Sequence, residues 1–141
     1  MVNLRIIIAG GRDFNDYELL RKSVLNILAK LSSKQVNGVT KVTLPKKSVE
    51  IVSGAAKGAD TLGEQFANEF GLAIKRFPAN WNKHGNAAGP IRNKQMAEYA
   101  VCKDNPGTGM LIAFWDGRSR GTKSMIELAE RYGLIVHVIN Y

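Results

Sequence analysis

The feature that most constrains this chain is a repeated change of hydrophobic period, from a short apolar run to a helical stripe and back again. Leu4 to Ala9 is a short run, apolar but for Arg5, that ends at Gly10-Gly11, which predicts a buried strand closed by a turn. From Asp16 to about Leu31 the apolar positions are Leu20, Val24, Ile27, Leu28 and Leu31, the spacing of one helix face. Val49 to Val52 then predicts a strand, and a helix begins near Thr61, where Thr61 and Glu64 have capping-box spacing. Leu62, Phe66 and Phe70 are its buried stripe and Gly71 its stop. Leu72 to Phe77 is a third strand, and Pro78 to Gly89 a loop. Pro90 opens a helix to about Lys103, in whose first turn its missing N–H costs nothing. Met110 to Trp115 is a fourth strand, Thr122 to Tyr132 a helix ended by Gly133, and Leu134 to Ile139 the last strand.

Strands this apolar are covered on both faces, and strand–helix–strand repeats in one sheet make right-handed crossovers. The expectation is a single α/β Rossmann-like domain over residues 1–141, with a five-stranded, mostly parallel sheet and helices on both faces. Ser32 to Ser48 interrupts the alternation. It is long for a helix-to-strand connection, where about 2–6 residues is usual. It reads as an insertion, either a mobile loop or a hairpin through Val39 to Leu44.

Composition narrows the function classes. The chain is 45% hydrophobic and 23% charged, without an apolar run approaching the roughly 20 residues of a membrane span. Its start runs straight into a strand pattern rather than a signal peptide, and Cys102 is the lone cysteine, expected as a small buried residue on a helix. Both features point to a cytoplasmic protein. His84 and His137 are too few to build a metal cluster with Cys102, and no cofactor is expected. The net charge of +8 invites a nucleic-acid reading. However, Lys34, Lys41, Lys46 and Lys47 lie in the acid-free stretch from Ser32 to Ser48, and the remaining excess favours glycine-rich turns. That distribution suits a small anion at least as well as a duplex.

In an open parallel sheet the strand-to-helix turns share the carboxyl edge, where ligands bind. The first such turn carries Gly10, Gly11, Arg12 and Asp13; the second, Ser53, Gly54, Lys57, Gly58 and Asp60; the third leads through Asn80 and Trp81 to Arg92 and Asn93; the fourth carries Asp116, Gly117, Ser119, Gly121 and Thr122. Glycines allow close backbone approach, helix N-termini favour anions, and arginine grips phosphate bidentately. Plainer readings stand beside these. Asp60 can be a helix cap in competition with Thr61, Arg118 and Arg120 solvated loop charges, Trp81 and Trp115 packing residues, and Arg92 a loop clamp on Asp116. Two motifs are absent. The second turn lacks the Walker A order, because Lys57 precedes Gly58 and Asp60 stands where a Lys-Ser/Thr pair must follow; the first is not G-x-G-x-x-G.

Five of these segments in order, Gly10 to Phe14, Val52 to Asp60, Phe77 to Trp81, Ala88 to Asn93 and Ala113 to Gly117 with Gly121-Thr122, resemble the YspA/YpsA-like branch of the SLOG superfamily. That superfamily also includes the Lonely-guy nucleoside-monophosphate phosphoribohydrolases and the DNA-processing protein A Rossmann domain. The resemblance covers nearly the whole chain except Ser32 to Ser48. It implies a Rossmann-like protein that senses or processes nucleotide-derived ligands, and a homo-oligomer as a plausible assembly. In the phosphoribohydrolases an arginine after the third strand's loop and a glutamate three residues beyond a Gly-Thr pair serve glycosidic cleavage. Arg92 matches the arginine by context, but Met125 stands at the glutamate's position, with Glu127 the nearest acid. Ala55 replaces a common second glycine, and Asn80 a usual aspartate.

Three functions compete. The first is a protein that binds or senses a nucleotide-derived small molecule, its phosphate held by the glycine turns and Arg92. The second is a nucleotide N-glycoside hydrolase using Asp13, Asp60 or Asp116 as its acid. The third is a single-strand nucleic-acid binder using the basic insertion and Trp81.

Overall fold

The computed structural model describes residues 4–36, 39–42, 49–101 and 109–141. In chain order, β1 (Leu4–Gly10), α1 (Tyr17–Ser32), the hairpin strands β2 (Ser33–Val36) and β3 (Val39–Val42), and β4 (Val49–Ser53) come first. Then follow α2 (Ala59–Phe70), β5 (Ala73–Arg76), the one-turn α3 (Trp81–His84), α4 (Ala88–Ala100), β6 (Gly109–Trp115), α5 (Arg120–Arg131) and β7 (Ile135–Asn140).

β1 lies at the centre because its side chains are apolar on both faces. Ile6 and Ile8 enter one core layer with Leu20, Val24 and Leu28 of α1 and Phe66 and Ala67 of α2. Ile7 and Ala9 enter the other with Met96, Ala97 and Ala100 of α4 and Met125 and Ala129 of α5. β6 repeats the alternation, with Met110, Ile112 and Phe114 facing the first layer and Leu111 and Ala113 the second. The five-stranded sheet runs β5-β4-β1-β6-β7, and every pairing in it is parallel, with Ile6 opposite both Ile51 and Met110. The mostly parallel sheet expected from the sequence is therefore wholly parallel. The connection after β1 runs to one side, to β4, and the connection after β6 to the other, to β7, which opens a crevice at the carboxyl edge between β1 and β6.

Several local expectations shift. Within the Ser32–Ser48 stretch the described residues form a hairpin, earlier in the chain than Val39 to Leu44, pairing Ser33 with Val42 and Val36 with Val39. The loop from Pro78 to Gly89 contains α3, started by Asn80, whose side chain accepts from the Lys83 amide at 3.1 Å. The capping box at Thr61 and Glu64 does not form. Helix α2 begins earlier, at Ala59, behind Gly58, and Thr61 donates its hydroxyl to the Ala56 carbonyl at 2.7 Å. Gly71 does stop α2, at φ 69°. Cys102 and the basic residues Lys46 and Lys47 lie outside the described residues.

Candidate functional site

The first two turns are built onto one another through backbone. Gly11 donates its N–H to the Phe114 carbonyl at 3.2 Å, and its own carbonyl accepts from Phe14 and, at 3.3 Å, from Ala59 at the head of α2. Gly58 makes this junction possible. It sits at φ 83°, and a Cβ there would overlap the Gly11 carbonyl and come within 2.8 Å of the Arg12 backbone. One residue before β4 gives way to loop, Ser53 accepts from the Ala55 amide at 3.0 Å and donates to Glu64 at 2.6 Å. Arg76 closes the other side of Glu64 at 2.8 Å. Burial pushes the Glu64 carboxyl up, but the bonds from Arg76 and Ser53 outweigh it and hold it below the usual range. Ala55 sits at φ 58°, the left-handed region, which is where the resembling sequences carry their second glycine.

These turns and the first turns of α4 and α5 enclose a cleft of about 660 Å³. Gly10, Gly11, Arg12 and Asp13 line one wall, Asp60 and Ala56 the floor beside α2, Gly89, Pro90, Arg92 and Asn93 the start of α4, and Asp116, Ser119, Gly121 and Thr122 the start of α5. Of the residues singled out from the sequence, Ser53, Gly54, Lys57, Gly58, Asn80 and Gly117 do not line it. Gly54 is buried under it, where a side chain would stand 2.6 Å from both the Arg92 Nη1 and the Asp60 Oδ2. Lys57 is exposed. Trp81 and Arg120, read with plainer alternatives from the sequence, both line the cleft, and Arg12 lies 5.6 Å over the Trp81 ring. Ser124, Met96 and Met125 were not candidates and also line it. Ser124 is three residues past Gly121 on α5, so helical spacing from the Gly-Thr pair is the signal that finds it.

Arg92 is not clamped by Asp116. Its Nη1 donates to the Gly54 carbonyl at 2.6 Å and its Nε to Asn93 at 3.0 Å; the Asn93 amide reaches the Gly121 carbonyl at 3.5 Å. These bonds fix the guanidinium between α2 and α5 and leave Nη2 without a protein partner among the described residues. Burial lowers the Arg92 pKa, opposed by the nearby Asp60 carboxyl. Asp116 instead accepts from the Arg118 and Ser119 amides, both at 2.8 Å, which hold its carboxyl below the usual range. Ser119 caps α5, accepting from the Thr122 amide at 3.4 Å. Asp13 accepts the Tyr141 hydroxyl at 2.8 Å; burial and that bond push Tyr141 up to about 12.

Asp60 differs from the other two cleft acids. It is 6% exposed, and its carboxyl accepts a single hydrogen bond, from the Ala56 amide to Oδ2 at 3.3 Å. Burial pushes its pKa up to about 6, against the opposing pull of Arg92, the Ala56 amide and Arg12, while Glu64 adds to the rise. It does not cap α2, whose N-cap residue is Gly58, with no side-chain cap bond.

The profile of the YspA, cpYpsA-related SLOG family matches residues 4–84, which carry the first two turns and the Phe77-to-Trp81 segment. Gene 61 protein of Mycobacterium phage D29 is 28% identical over 142 residues, spanning 97% of this chain and 95% of that protein. No solved structure matches the sequence.

Proposed function

This chain belongs to the YspA, cpYpsA-related SLOG family, and from that premise we propose that it binds a nucleotide or nucleotide-derived small molecule through its phosphate. The observation that carries the reading is the convergence of the first turns of α2, α4 and α5 on one cleft, with Arg92 fixed among them by Gly54 and Asn93. Helix N-termini present unpaired N–H groups and the positive end of the helix dipole, and a preset guanidinium adds charge without losing much side-chain freedom on binding. Gly121, where a side chain would meet nothing within 4 Å, leaves the α5 wall low enough for the backbone to reach a phosphate oxygen, while Gly10 and Gly11 let the first turn pack tightly against Phe114, Ala59 and Tyr141.

The reading is of binding rather than hydrolysis. The position matching the phosphoribohydrolase glutamate is Met125, 1% exposed and packed in the second core layer with Met96 and Ala129. A thioether neither activates water nor stabilises an oxocarbenium ion. Mass spectrometry of the small molecule that copurifies with the protein, followed by calorimetry with that molecule, tests the proposal; a nucleotide-type ligand is the expected result. Purified protein that neither carries nor binds any nucleotide would overturn it. Release of free base from nucleoside monophosphates is expected to stay at the level of a heat-killed control.

A further inference from the structure

Three acids line the cleft, and two of them are spent: Asp13 on the Tyr141 hydroxyl and Asp116 on two backbone amides. Asp60 is the third. It is more than nine-tenths buried, yet its Oδ1 accepts nothing among the described residues, and no ion pair satisfies it. The arginine best placed to pair with it gives Nη1 to the Gly54 carbonyl instead. Oδ1 is not sealed inside the protein either, since no fully enclosed side-chain polar atom among the described residues lacks a partner. The free lone pairs of Asp60 therefore open into the cleft. A group placed in this way requires an explanation, because a carboxylate withdrawn from most of its water and given one hydrogen bond is costly.

We propose that Asp60 receives the vicinal hydroxyls of a ribose, so that this cleft prefers ribonucleotides to deoxyribonucleotides; the inference rests on the nucleotide reading above. An ionised carboxylate only accepts hydrogen bonds, so the part of a ligand that meets it must donate. The phosphate of a nucleotide is excluded by its charge, which leaves the sugar hydroxyls and the N–H groups of a base. Position decides between them. Asp60 Oδ2 and Arg92 Nη1 both approach the same point over Gly54, to 2.6 Å, so the carboxyl stands beside the guanidinium assigned to phosphate. Within a nucleotide the sugar is bonded directly to the phosphate, and the base lies a full ring further away. Gly54 is what permits this arrangement, since any side chain there would collide with both groups. Trp81, 48% exposed on the cleft wall, offers the flat apolar surface that suits the base.

The test is calorimetry with AMP, GMP, CMP and UMP, and with their 2′-deoxy counterparts, on the wild-type protein and on Asp60→Asn. Wild-type protein is expected to bind the ribonucleotide of its preferred base about 10-fold more tightly than the deoxy form, the scale of one charge-assisted hydrogen bond. In Asp60→Asn that ratio is expected to fall towards one, because the ribonucleotide loses the bonds of both hydroxyls and the deoxynucleotide only that of its 3′-hydroxyl. Inorganic phosphate serves as the control: its binding is expected to be unchanged or stronger in the variant, since a nearby negative charge has gone. Equal wild-type affinity for both sugars, or a parallel loss for both in a variant with normal cooperative unfolding, would overturn the sugar assignment and leave the nucleotide reading standing. No binding of any nucleotide by wild-type protein would instead remove the reading on which the assignment rests.

Discussion

The two edges of the central sheet carry the same residue types and use them in opposite ways. At the amino edge, Arg5 of β1 donates to the Tyr99 carbonyl at 2.6 Å, stacks on the Tyr99 ring at 4.0 Å and stands 3.6 Å from Glu50 of β4, while the Tyr99 hydroxyl donates to Glu50. Arginine, acid and aromatic close on one another and pin α4 against β1 and β4. At the carboxyl edge Arg92, Asp60 and Trp81 stand round a cleft; Arg92 spends two donors on holding its own position, and Asp60 is left with a single long bond. A cluster that saturates itself is architecture. One held rigid with free donors and acceptors is built for something that arrives from outside.

The largest effect is expected where the open edge depends on backbone rather than charge. Gly58→Ala combines a positive φ with overlap on the Gly11 carbonyl and should cost about 3–5 kcal/mol in urea unfolding. Gly71→Ala, also at positive φ but with nothing within 4 Å of the new methyl, should cost only about 1 kcal/mol. Equal losses would show that the junction between the first two turns is not a packing constraint.

Next come the acids of the two edges. The folded-state pKa of Asp60, about 6, lies above the ordinary carboxyl value of 3.8, so the native state holds its proton more tightly and stability falls as pH rises through that window. Asp60→Asn is therefore expected to stabilise the protein by about 2–3 kcal/mol above pH 6, and by almost nothing below pH 4. Glu50→Gln, which loosens the saturated amino edge, should destabilise by about 1 kcal/mol. Thermal melts from pH 4 to pH 7 measure both, and a destabilised Asp60→Asn at pH 7 would show that its carboxyl is satisfied after all.

The arginines separate binding from stability. Arg92→Ala should fold and bind its nucleotide about 10- to 100-fold more weakly, with Lys recovering only part of the loss. Arg5→Ala should lower the Tm and leave nucleotide affinity unchanged. Calorimetry beside an unfolding curve tells the two apart; an affinity loss from Arg5→Ala would erase the contrast between the edges. Smallest is Ala55→Gly. Relieving the left-handed strain at φ 58° should add about 1 kcal/mol of stability, measurable as a higher urea midpoint.

What the sequence by itself determined is the order of elements and the edge on which the turns gather. Hydrophobic period is a local property: Leu20, Val24 and Leu28 mark one helix face, and Ile6 to Ile8 a strand covered on both sides, whatever surrounds them. Parallel crossovers then force the strand-to-helix turns to one edge, so most of the cleft's lining was legible as glycine-rich turns. Only tertiary structure decided which charges are spent. Asp13, Asp60 and Asp116 look alike in the sequence, but their partners are Tyr141, the Ala56 amide and the Arg118 and Ser119 amides. Arg92 likewise faces the Gly54 carbonyl 38 residues away rather than Asp116. The helix starts slipped for a similar reason: α2 begins at Ala59 because its amide meets the Gly11 carbonyl, a contact between two turns that neither turn's own residues announce. Periodicity survives in one dimension because burial repeats along the chain; the saturation of a charge depends on distances across it, and those exist only once the strands have paired.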